Sequence, residues 1–125
     1  LNEAEQQLRG ELKSHPADHA SRYHLATVLD LNRRSGEARE QLEILLDARP
    51  DLADARYLLG KILLADGAAS EAVPHLEAAA GLAPEDPNIF NQLGQAYQRL
   101  GKPEQAKQQF EIFRQLKRKE RDSGP

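Results

Sequence analysis

Three prolines, Pro16, Pro50 and Pro84, stand 34 residues apart. A fixed interval of this length marks an array of stacked supersecondary units, none of which can bury its apolar face alone. Other columns keep the same interval. Ala4, Ala38, Ala72 and Ala106 are in phase, each preceded by Glu3, Glu37, Glu71 or Gln105. Leu8, Leu42, Leu76 and Phe110 follow four residues later. Leu25, Leu59 and Leu93 form another column, each followed by a small residue, Ala26, Gly60 or Gly94. Leu29, Leu63 and Tyr97 form one more, and no insertion breaks the register. Aromatic residues make up only 5% of the chain, too few for a thick single-centred core. A solenoid has no such need, because each unit is buried by its neighbours.

Within each period the apolar residues recur at spacings of three and four, as in Ile89, Phe90, Leu93, Ala96 and Tyr97. That spacing puts one apolar stripe on a helix, and no alternating strand pattern competes with it. The prolines mark unit boundaries. Asp86 before Pro87 reads as an N-cap with proline at the first helical position, and Asp18, Asp51 and Ser70 are further cap candidates. Gly67 and Gly101 are placed to end the first helix of a pair in a left-handed turn. The pattern predicts an all-α chain of seven helices, at 2–14, 18–32, 36–48, 53–66, 69–82, 87–100 and 103–119. Pro74 falls in the first turns of the fifth, where its missing N–H costs little.

These columns resemble the tetratricopeptide repeat family. The third unit matches best, with Phe90, Leu93–Gly94, Tyr97, Gly101, Ala106 and Phe110. The second supplies Leu59–Gly60, Leu63, Gly67, Ala72, Leu76, Ala79 and Pro84, and the first Leu25–Ala26, Leu29, Ala38, Leu42 and Pro50. The resemblance implies a right-handed α-solenoid of antiparallel helix pairs. It divides residues 1–121 into a half repeat (1–18) and three repeats (19–52, 53–86, 87–120), with a disordered tail at 122–125. Arg33 stands where the turn glycine is expected, and Gly36 three residues later predicts a turn of different construction. The half repeat has no preceding partner helix, so Leu1, Ala4, Leu8 and Leu12 should lack part of their cover. Arg114 replaces the apolar residue of the Leu12, Leu46 and Ala80 column, as suits a terminal helix with nothing stacked beyond it. The chain therefore reads as an array with a polar C-terminal cap and an opened N-terminus, cut from a longer protein or matured from one.

Chemistry is excluded more readily than found. There are no cysteines, so disulfides, thiolate metal sites and a cysteine nucleophile are out. His19 and His24 are five apart and do not share a helix face as zinc-binding pairs do. No nucleophile elbow or phosphate-binding glycine loop occurs, and no cofactor is expected. Five of the 17 basic residues lie between Arg114 and Arg121, and the first 113 residues carry 12 basic against 18 acidic. That is no nucleic-acid footprint, and no apolar run reaches membrane-spanning length. The compartment stays open.

What remains is surface. In the resembled family the first helix of each pair lines a concave groove. Here that implies Tyr23, His24, Thr27, Asp30 and Leu31, then Tyr57, Leu58, Lys61 and Leu64, then Asn88, Asn91, Gln92, Gln95 and Gln98, with Arg99 at the edge. Tyrosine adds rigid contact area at low entropic cost, and amides both donate to and accept from a peptide backbone. The chosen groove is Tyr23, His24, Thr27, Tyr57, Leu58, Lys61, Asn91, Gln92 and Gln95. Family members that grip a chaperone's C-terminal carboxylate use cations at places where this chain has Tyr23, Asn88 and Gln92, which argues against that ligand. The expected function is non-catalytic protein–protein interaction, with a peptide or partner segment in the groove. Two alternatives are a self-assembly scaffold, homodimeric through residues 1–14, and a segment that positions or regulates a larger enzyme.

Overall fold

The computed structural model describes residues 2–124, and Leu1 and Pro125 lie outside them. Among the described residues there are seven helices and no strand: α1 (Asn2–Ser14), α2 (His19–Leu31), α3 (Ser35–Ala48), α4 (Ala53–Ala65), α5 (Ala69–Leu82), α6 (Pro87–Arg99) and α7 (Pro103–Ser123). Each packs on its neighbours in sequence. In addition α2 touches α4 and α4 touches α6, whereas α3 does not reach α5 and α5 does not reach α7. The first helices of the pairs therefore form the inner layer of a curved stack, an all-α solenoid.

The phased columns are the core. Leu25, Leu29, Leu42 and Leu76 are completely or almost completely buried, as are Ala26, Ala38, Ala72 and Ala79. The small residues sit where helices cross. A Cβ built on Gly60 would come 2.6 Å from Leu76 Cγ, and one on Gly94 would come 2.5 Å from the Phe110 ring. Glycine is kept at these two mid-helix positions despite its cost of about 1 kcal/mol relative to alanine, because the facing helix occupies the space. In the half repeat Leu12 is buried, Leu8 is half-buried and Ala4 is exposed. Glu5, beside Ala4, is buried as well, so α1 is covered on the face towards α2 and open on the face that carries Ala4.

Three expectations are corrected. The α2–α3 turn is built like the others: Arg33 takes φ 63°, beside Gly67 at 86° and Gly101 at 71°. The hydrogen bonds match as well, with Arg34 N donating to the Leu29 carbonyl at 2.9 Å and Ala68 N to Leu63 at 2.8 Å. The packing of α2 on α3 imposes the left-handed residue whatever side chain it carries. Second, α3, α4 and α5 are entered through Arg34, Leu52 and Ala68 rather than through Asp51 or Ser70, while Asp18 and Asp86 do cap, accepting from Ser21 N and Asn88 N. Third, α7 runs to Ser123, so Asp122 and Ser123 are helical rather than part of a disordered tail. A left-handed non-glycine residue costs about 1–2 kcal/mol, and glycine's extra unfolded-state freedom offsets about 0.4–1 kcal/mol of any relief. Arg33→Gly should therefore stabilise the chain by up to about 1 kcal/mol. A rise of a few degrees in the thermal midpoint is the expected readout, and a fall would show that the Arg33 side chain contributes more than its backbone costs.

Charged side chains stitch the units together. Arg22 donates to the Pro16 carbonyl (3.0 Å) and to Gln41 Oε1 (2.7 Å). Arg56, one period on, donates to the Pro50 carbonyl (3.1 Å) and lies 3.2 Å from His75 Nδ1. Burial, and then the Arg56 charge, push the His75 pKa down, which keeps the ring neutral and leaves Nδ1 free to accept. In the third unit Phe90 takes this position and is buried. At the first junction Arg34 holds Glu5 (2.5 Å) and Glu37 (2.6 Å), and Arg9 holds Glu5 (2.9 Å). Hydrogen bonds from Arg9 and then Arg34 hold the Glu5 carboxyl below its ordinary range, and Arg34 does the same for Glu37. This network docks α1 on the α2–α3 turn.

Candidate functional site

The inner layer brings side chains from three repeats into one row. Tyr23 (α2), Tyr57 (α4) and Asn91 (α6) occupy one column, and all three are half-buried. Thr27, Lys61 and Gln95 occupy the next; Thr27 and Gln95 are half-buried and Lys61 is exposed. Neighbouring units are close enough to interact. Helix α2 touches α4 and α4 touches α6, and within α2 the Thr27 hydroxyl donates to the Tyr23 carbonyl at 3.1 Å. Burial raises the pKa of both tyrosines, with Asp54 adding to it at Tyr23 and Asp86 at Tyr57. Both phenols stay protonated at neutral pH and keep a donor to offer.

His24 is exposed and sets its ring against Tyr23, centroids 6.1 Å apart at 62°. The two rings form one wall of a cleft of about 470 Å³ at the junction of α2, α3 and α4.

Leu58 does not belong to the groove. It is 7% exposed and lies in the core, and Leu64, at 2%, does too. Helix α4 is covered by α2 on one side and α6 on the other, so its apolar arc is wider than that of a helix with one neighbour. Their shared identity, leucine where the outer units have His24 and Gln92 or Asp30 and Gln98, was the available signal. Arg99 is engaged as well, donating to the Leu64 carbonyl at 2.5 Å. It closes the C-terminal end of α4, where a cation suits the helix dipole. Lys61 makes no ion pair among the described residues.

The arrangement offers rigid aromatic surface, hydrogen-bond donors and acceptors, and little fixed charge, along a path that crosses three repeats. Among the described residues no three His, Asp or Glu side chains converge to hold a metal ion, and no helix is long and apolar enough to cross a membrane.

Two family models, each described as "Tetratricopeptide repeat", match residues 29–87 and 63–121. A search of curated protein sequences finds no match. Among solved structures the chain is similar to "Crystal structure of MamA", with a TM-score of 0.91 at 20% identity, covering 97% of this chain and 71% of that one. It is similar also to "MamA RS-1 ArsTM double mutant", with a TM-score of 0.89 at 26% identity, covering 98% of this chain and 68% of that one.

Proposed function

This chain belongs to the tetratricopeptide repeat family, whose members are protein-interaction modules, and from that premise we propose that it binds an extended segment of a partner protein along its inner layer. The observation that carries the reading is the row Tyr23, Tyr57 and Asn91, half-buried residues at the same register of α2, α4 and α6, with α4 packed between the other two helices. A row built this way matches a ligand that is itself linear. The tyrosines supply anchors, and Asn91, Gln92 and Gln95 pair with backbone groups whatever the ligand's sequence.

The test uses peptides selected from a random displayed library on the intact chain. Truncating an anchor costs more than about 1 kcal/mol, at least fivefold in Kd, whereas peripheral contacts cost little. Tyr57→Ala and Asn91→Ala should weaken the selected peptides by that factor with circular dichroism unchanged. The outer-layer changes Glu43→Ala and Gln108→Ala should not. Peptides that depend on Glu43 or Gln108 and ignore Tyr57 and Asn91 would place the binding face elsewhere.

A further inference from the structure

The cleft at the α2–α4 junction differs in charge from the rest of the row. Tyr23 and His24 wall it, Leu45 and Leu52 supply apolar floor, and Asp51 and Asp54 stand at its mouth. Asp51 is already paired with Arg49 at 3.2 Å. Asp54 is exposed and makes no ion pair among the described residues. Its counterparts one period away are Ala20 and Asn88, so the free carboxylate belongs to this one junction. It lies close enough to the Tyr23 hydroxyl for its charge to be felt there.

We propose that this cleft receives one basic side chain, arginine or lysine, of the segment bound in the groove. The inference rests on the groove reading above and adds the chemistry of one ligand position. A cation over the Tyr23 ring gains from the ring's negative face, and arginine does so most often. The Asp54 carboxylate accepts a charge-assisted hydrogen bond from the same group. The aliphatic stem of either residue covers the half-buried Leu52 while its charged head stays at the mouth. An acidic side chain would meet the Asp54 carboxylate at close range, and a neutral one would leave that carboxylate unanswered.

The probes are peptides selected from the random library on the intact chain. Each is synthesised with its arginine or lysine intact and with citrulline or norleucine in its place. Fluorescence anisotropy should give a basic residue at one fixed position, whose neutral replacement weakens binding about tenfold, as expected for a charge-assisted hydrogen bond. Asp54→Asn, an exposed and nearly isosteric change, should leave the chain folded and remove most of the preference for the charged peptide, leaving only what the Tyr23 ring contributes. Tyr23→Leu removes an anchor of the groove as well, so it should weaken both peptides, and the basic one by the larger factor. Selected peptides that need Tyr57 and Asn91 but show no basic preference, or keep it undiminished in Asp54→Asn, overturn the cleft assignment and leave the groove standing. Failure of the library to yield any peptide sensitive to Tyr57→Ala overturns both.

Discussion

Gly60→Leu is expected to lower the thermal midpoint by roughly 4–12 °C. That follows from an overpacking cost of about 1–3 kcal/mol and about 4 °C per kcal/mol for a chain of this size. Even the first atom of the new side chain meets Leu76, at 2.6 Å from Cγ and 2.7 Å from Cδ2, with the Ala72 carbonyl 3.4 Å away. Leu76 is fully buried and cannot swing aside into solvent, so α4 and α5 must separate. Gly81 is the control. It lies in the last turn of α5 with nothing within 4 Å of the added Cβ, and Gly81→Leu should hold or raise the midpoint by removing a helical glycine. Thermal unfolding followed by circular dichroism measures both. Equal midpoints for wild type and Gly60→Leu would refute the assigned crossing of α4 on α5.

Leu76→Ala should cost about 2–5 kcal/mol, the range for deleting a buried leucine into a cavity. The loss should also spread unevenly. In a solenoid each repeat leans on its neighbours, so damage at one junction loosens the adjacent ones first. Helix α5 packs on α4 and α6. Amide hydrogen exchange should therefore accelerate in α4, α5 and α6 before α1 and α2. Adding Gly60→Ala to Leu76→Ala should cost less than the sum of the two single changes, since the new methyl enters the space the leucine leaves. Strict additivity would mean that the two positions do not touch. Uniform exchange along the chain would mean that the array opens as one unit.

The repeat period determined the fold, because each column records a packing demand that every unit shares. The alanine column, the Gly60 and Gly94 crossings and the Gly67 and Gly101 turns were all legible, since each is repeated and each depends on contacts within one helix pair. Arg22 and Arg56 keep the same period as the prolines whose carbonyls they hold, but arginine in an aromatic's place reads as surface until its partner is seen. The rest was settled only by stacking. Leu58 and Leu64 pass for groove residues on helical spacing alone, yet α4 is enclosed on two sides and buries both. The turn at Arg33 is left-handed without a glycine because the α2–α3 packing fixes the backbone more strongly than one side chain resists it. Glu5 and Arg34 lie 29 residues apart and belong to no column, so nothing in the period marks them as partners. The same holds for the candidate site: the row of tyrosines and amides is periodic and was foreseeable, whereas the junction of Tyr23 with Asp54 joins different columns of different repeats. Periodicity in a sequence reports what all units do alike. What one junction does alone depends on which side chains the superhelix brings together, and that is a property of the tertiary structure.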